Sequence, residues 1–270
     1  MSGADILSRI LDRKRIEVGR RARHRRAFEA HAARFPLERG RGERALAAIR
    51  RGDGAALPRV IAEVKFQSPS AGTIRERAEG LGARIARGYV EGGASAVSVL
   101  ADGPGFGGSA LEVRRVASAI EAPVLFKEFV LDPIQVELAR VVGASMVLLL
   151  VRALDPRSLR AMIAEVRARG MEPVVEAADE AELEIALETE ARIVGVNARD
   201  LRTFRLDPEA AARAMARIPA DRVAVFMSGI RTREDVDQVA RTRADAILVG
   251  EGLMRAPDPG ARLAQLLGGT

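Results

Sequence analysis

The chain has 270 residues, 48% hydrophobic and 30% charged, with no cysteine, no tryptophan and a net charge of +6. That length suits two domains or one large α/β barrel, and the mixed-sign charge with ample apolar content excludes general disorder. The missing cysteines exclude a disulfide scaffold and a Cys nucleophile, and the longest clean apolar run, Met146 to Val151, falls far short of the ~20 residues of a membrane helix.

The first 51 residues carry 15 basic and 6 acidic side chains, so the whole positive excess lies there. A basic arm suits nucleic acid, but this one offers only Phe28 and Phe35 for stacking. Ile6, Leu7, Ile10, Leu11 and Val18 recur at helical spacing, so an amphipathic helix over Asp5–Ala22 is expected, with His24 and His31 solvated. No apolar core of a secretion signal precedes it, so a cytoplasmic location is expected. Residues 1–57 read as a basic helical N-terminal extension of one domain spanning 1–270.

After residue 58 short Val/Ile/Leu-rich runs recur at Val60–Lys65, Ala96–Leu100, Pro123–Lys127, Met146–Val151, Pro173–Glu176, Arg192–Asn197, Val223–Met227 and Ala246–Gly250. Helical periodicity separates them, as in Leu81–Val90, Ala110–Ile120, Pro133–Val142 and Leu159–Arg169. Eight continuous apolar strands alternating with helices spell an α/β fold, a (β/α)8 TIM barrel. A doubly wound sheet is the rival, through the G-x-G-x-x-G formed by Gly103, Gly105 and Gly108. That run follows the second strand, carries Pro104 and lacks an acid ~20 residues on, so it reads as a flexible βα loop.

Active sites of such barrels gather at the C-terminal strand ends. The first strand ends Glu63-Val-Lys65, whose alternation sends both charges the same way. The third ends at Lys127, followed by Glu128 and Phe129. The fifth ends at Glu176, and the sixth at Asn197 with Arg199 just beyond. The seventh runs into Ser228-Gly229, and the eighth into Gly250-Glu251-Gly252. Only three of the 43 cationic residues are lysines, and two of them, Lys65 and Lys127, stand at strand ends; Lys14, in the basic arm, has no assigned role. An ammonium gives up a proton where guanidinium does not, so these two suit acid–base chemistry, with a structural ion-pair network as the alternative. The small residues after strands seven and eight suit a phosphate. The barrel segment holds no His and no carboxylate cluster with metal-ligand spacing, so neither a metal nor a cofactor is expected.

Ile61-Ala-Glu63-Val-Lys65 with Ser68-Pro-Ser70 resembles the first-strand signature of the indole-3-glycerol phosphate synthase family. Phe106-Gly-Gly-Ser109, Pro123 to Phe129, Gly170-Met-Glu-Pro173 through Glu176, Gly195 to Leu201 and Leu253-Met-Arg255 are similar to its further motifs. They occur in the family's order over residues 58–258, and Ile6 to Arg15 is similar to its helical extension. The resemblance implies ring closure, decarboxylation and dehydration of 1-(2-carboxyphenylamino)-1-deoxyribulose 5-phosphate. It implies Lys127 as general acid, Glu176 and Lys65 as the acid–base pair of dehydration, Glu63 orienting Lys65, and Asn197 positioning the hydroxyl. Which lysine acts at which step stays open, and Lys65 is equally suited to hold the substrate's carboxylate. Phe106, Phe129, Leu148 and Leu201 would form the aryl slot, Arg199 would order its loop, and Ser68 would join Ser228, Gly229, Gly250 and Glu251 at the phosphate.

The departures from the family pattern are specific. Met227 stands where the family usually has Glu before Ser-Gly, which removes a negative charge near the lysines and favours their deprotonated forms. Glu128 replaces the usual Asp after the lysine, and Phe66 replaces a polar or basic residue beside the site loop. Met227 keeps two rival readings in view, a related sugar-phosphate enzyme and a binding barrel without turnover. The expected partner is a small phosphorylated molecule, with neither nucleic acid nor membrane involved, for a monomer or at most a weak homodimer.

Overall fold

The computed structural model describes residues 4–199 and 205–269. Eight strands form the sheet: β1 (Arg59–Val64), β2 (Ala96–Leu100), β3 (Val124–Lys127), β4 (Met146–Leu150), β5 (Glu172–Ala177), β6 (Ile193–Asn197), β7 (Val223–Met227) and β8 (Ala246–Val249). Each pairs in parallel with its sequence neighbours. β1 also pairs with β8, Arg59 opposite Ala246 through Ala62 opposite Val249, so the sheet closes into a (β/α)8 barrel. The eight apolar runs of the sequence are these strands, each within two residues at either end.

Alternation along the strands builds two cores. Val60, Ala62 and Val64 point outward under the surrounding helices, whereas Ile61 points inward with Leu125, Met146, Leu148 and Val174. Each such aliphatic side chain contributes about 1.5–3 kcal/mol on burial. Four of the helices open with Asp-Pro, at Asp132, Asp155, Asp207 and Asp258. The Asp side chain accepts a first-turn N–H, and the proline sits where no N–H is needed.

The N-terminal extension is three helices rather than one: α1 (Ala4–Ala22), α2 (Arg25–Ala32) and α3 (Arg41–Ile49). Leu7, Ile10, Leu11 and Val18 of α1 are buried, as their spacing requires. Ala45 and Ile49 of α3 join the inner core and plug the N-terminal end of the barrel. The α3 backbone comes so close to the start of β5 that a Cβ on Gly42 would fall 2.6 Å from the Met171 carbonyl carbon. His24 is exposed as expected. His31 is exposed as well, its ring edge-on to Phe35, whose own ring also takes the Arg114 guanidinium 5.5 Å from its centroid.

One connection differs from expectation, and a second carries structure of its own. The glycine-rich stretch after β2 contains a helical turn, Gly103–Phe106, because Asp102 caps it and Pro104 sits in its first turn. After β1, Gln67–Ser68 and Gly72–Thr73 pair as a short antiparallel hairpin over the mouth side. Among the described residues, no helix is long and apolar enough to cross a membrane.

Candidate active site

Glu63 is the centre of the C-terminal end of the barrel. It is 3% exposed; Lys65 Nζ lies 3.1 Å from its Oε1 and Lys127 Nζ 3.2 Å from its Oε2. Ser98 Oγ on β2 donates to Oε2 at 3.0 Å, and the buried Tyr89 hydroxyl donates to the Glu63 main-chain carbonyl at 3.2 Å. Gly250 lets β8 approach: a Cβ there would lie 3.0 Å from Glu63 Oε1.

The electrostatics follow from this packing. Burial alone would raise the Glu63 pKa, but Lys127 and then Lys65 overcome it and hold it at about 2. Burial likewise opposes the charge on Lys127, yet Glu63 and Glu176 outweigh it and keep its pKa above the ordinary lysine value. Two carboxylates therefore suffice to keep Lys127 an ammonium, even with Met227 in the wall.

Glu176, on β5, is oriented by its neighbour strand. Asn197 Nδ2 donates to Glu176 Oε1 at 2.9 Å, while Asn197 Oδ1 accepts the Arg199 backbone N–H at 3.0 Å. Among the described residues, Glu176 Oε2 is buried without a hydrogen-bond partner. It is an opening for a donor brought by a ligand.

These groups floor a cavity that opens to solvent at the C-terminal end of the barrel. One wall is apolar, with Phe106 and Phe129 at a centroid distance of 5.9 Å and tilted 41°, beside Leu148. The opposite rim carries Ser68, Ser228, Gly229, Gly250 and Glu251. The backbone is left-handed at Ser228 (φ 71°) and Gly229 (φ 86°), a conformation a serine adopts only when held there. Ser68 Oγ accepts the Ala71 N–H at 3.1 Å and so fixes the hairpin that carries it. Glu251 opens the short helix Glu251–Met254, and its carboxylate pairs with Arg255 at 3.1 Å.

Every expected site residue except Leu201 lines this cavity, and Leu201 falls outside the described residues. Sequence reasoning missed Ser98 and Tyr89 behind Glu63, and Leu100, Leu150, Leu248 and Arg231 in the lining. Ser98 was legible as the one polar residue of β2 at an inward position. Phe66 does not reach the site: it is buried in the outer core, with the Arg77 guanidinium 5.6 Å from its ring centroid. Met227 is buried in the inner core, its side chain folded over Gly195, where a Cβ would come 3.0 Å from the Met227 sulfur. Lys14 also departs from expectation. It is 1% exposed, within 3.0 Å of both Glu128 and Asp102.

The sequence profile of the family described as indole-3-glycerol phosphate synthase matches residues 7–266. The chain belongs to this family. It is 42% identical over 267 residues to an indole-3-glycerol phosphate synthase of Aromatoleum aromaticum, covering 98% of this chain and 100% of the other. It is 46% identical over 209 residues to indole-3-glycerol phosphate synthase 2 of Streptomyces coelicolor, covering 77% of this chain and 80% of that one. Indole-3-glycerol phosphate synthases are carboxy-lyases of tryptophan biosynthesis, and this chain is one by family. The barrel fold is shared with phosphoribosylanthranilate isomerase from Thermotoga maritima, whose solved structure superposes with a TM-score of 0.57 at 16% identity, over 78% of this chain and 97% of the other.

Proposed function

We propose that the cavity binds 1-(2-carboxyphenylamino)-1-deoxyribulose 5-phosphate and converts it to indole-3-glycerol phosphate, carbon dioxide and water, with the residues of the Glu63 cluster as the acid–base machinery. The observation that carries this reading is two ammonium groups on one buried carboxylate, with an open carboxylate oxygen on Glu176 in the same cavity.

The aryl ring lies between Phe106, Phe129 and Leu148. The phosphate sits on the backbone after β7 and β8, at Ser228-Gly229 and Gly250-Glu251, with the Ser68 hydroxyl. The ring carbon that bears the carboxylate attacks the ketose carbonyl carbon. Lys127 gives its proton to the carbonyl oxygen as the new bond forms. Carbon dioxide then leaves, its bonding pair returning to the ring system. In the second half the new hydroxyl departs as water, protonated by Lys65, while Glu176 Oε2 takes a proton from the adjacent ring methylene, so that the carbon–carbon double bond of indole forms and the ring nitrogen keeps its hydrogen. Glu63 holds Lys127 charged and both lysines in place, Asn197 steadies Glu176, and Arg199 orders the loop after β6. Lys65, nearer the hairpin of Ser68, also meets the substrate's anionic groups.

Because the chain has no tryptophan, indole formation is read directly against a dark protein. Purified chain with this substrate is expected to develop indole absorbance and emission, and inorganic phosphate is expected to compete with the substrate. Failure to form indole at any pH contradicts the reading. Met227→Glu places a third carboxylate in a floor where two already balance two lysines. It is expected to raise KM for the anionic substrate about three- to tenfold with kcat nearly unchanged. A lowered KM in steady-state assays would show that Met227 costs binding rather than serving it.

The same reading makes the chain a cytoplasmic monomer whose basic N-terminal helices serve the barrel rather than a nucleic acid. Phe35, one of the two aromatic rings suited to stacking on bases, is already engaged by His31 and Arg114.

A further inference from the structure

The third lysine of the chain, Lys14, is fully buried on the apolar face of α1, seven residues after Leu7. Its ammonium lies 3.0 Å from Asp102 Oδ1, 3.0 Å from Glu128 and 2.9 Å from Glu17. Asp102 and Glu128 stand just past the C-terminal ends of β2 and β3, and each has a second task. Asp102 Oδ2 accepts the Gly105 N–H at 2.9 Å, capping the turn that ends in Phe106. Glu128 Oε1 accepts the Phe129 N–H at 2.8 Å, two residues beyond Lys127. The two carboxylates thus set the main chain under the two rings of the cavity's aromatic wall.

An apolar side chain would fill this spot more stably than a desolvated charge. An ammonium instead has three directed donors, enough to reach carboxylates from two different strands and one on its own helix. We infer that Lys14 is a positioning residue of the active site, holding through Asp102 and Glu128 the two turns that carry Phe106 and Phe129. That these rings receive an aryl group rests on the function proposed above; that Lys14 holds them does not.

The test uses the full chain labelled with 4-fluorophenylalanine, whose eight phenylalanines give a short ¹⁹F spectrum. Phe106, Phe129 and the barrel-wall residue Phe226 are assigned by single Leu substitutions. In Lys14→Met, the Phe106 and Phe129 resonances are expected to shift or broaden while that of Phe226 stays. KM is expected to rise about tenfold with kcat changing less than about threefold. Lys14→Arg, which keeps the charge and the directed donors, is expected to restore both resonances. Where Lys14→Met does not fold, Asp102→Asn keeps the cap on Gly105, weakens the ion pair, and carries the same expectation for Phe106. Unmoved Phe106 and Phe129 resonances, or an unchanged KM in a folded variant, overturn the inference. Resonances that move as expected in a chain whose parent forms no indole overturn the aryl-ring reading and leave the positioning role standing.

Discussion

Lys127→Met is expected to lower kcat by about 10²- to 10⁴-fold, the usual contribution of a positioned general acid, while KM changes less than about fivefold. The side chain is 3.2 Å from Glu63, and its pKa, raised above the ordinary lysine value, keeps it protonated at neutral pH. Its proton is therefore in place when the carbonyl oxygen gains charge. The variant keeps its fold, because Lys65 and Ser98 still satisfy Glu63. Lys127→Arg is expected to behave within about tenfold of the methionine variant, since guanidinium retains its proton. Steady-state kinetics on the three proteins check this. A Lys127→Met variant with parental kcat would remove Lys127 from the role of acid.

Glu63→Gln is expected to have the second large effect, on stability and on pH dependence together. It strips the shared carboxylate from two lysines, and breaking a buried ion pair costs about 3–5 kcal/mol. In the parent, the Glu63 pKa lies at about 2 in the folded protein against an ordinary 4.5. Its stabilisation is therefore complete above pH 4.5 and is lost as pH falls toward 2. Thermal unfolding followed from pH 6 to pH 2 should show this acid-side loss in the parent and a shallower loss in Glu63→Gln. Lys127 responds in the opposite direction. Its raised pKa depends first on Glu63, so the substitution lowers it and the alkaline limb of kcat/KM moves to lower pH. An alkaline limb that stays put would mean that Glu63 does not govern Lys127.

The strands and the chemistry of their ends were legible in the sequence for a local reason. A parallel strand inside a barrel is buried on both faces, so it reads as an unbroken apolar run, and a lysine at its end stands out among arginines. The floor of the site follows from the same alternation that put Glu63 and Lys65 on one face. Lys14 shows where local reading stops. Its place on the apolar face of α1 was visible in its spacing from Leu7, Ile10 and Leu11, but its partner Glu128 is 114 residues away, and only the closed barrel brings them together. The plug made by Ala45 and Ile49 is of the same kind: a short amphipathic helix does not announce which end of a barrel it closes. The helical turn at Gly103–Phe106 was hidden by its glycines and is held by a single cap, Asp102, which Arg13 and Lys14 hold in turn.

Glu128 was legible as a departure but not as a function. Three carboxylates converge on Lys14, and burial pushes the Glu128 pKa up to about 7 against the pull of Lys14 and the Phe129 N–H. The Lys14 ammonium itself is held above its ordinary value, since Glu128, Glu17 and Asp102 outweigh the cost of its burial. The carboxylate next to Lys127 thus pairs with the N-terminal helix rather than with the lysines of the site.

The most direct test of the central claim follows carbon dioxide and indole in one reaction, using substrate carrying ¹³C in its ring carboxylate and the purified full chain. The proposed reaction gives one labelled carbon dioxide for each indole formed, with both signals lost together in Lys127→Met. Consumption of the substrate without labelled carbon dioxide, or without indole emission, would contradict it.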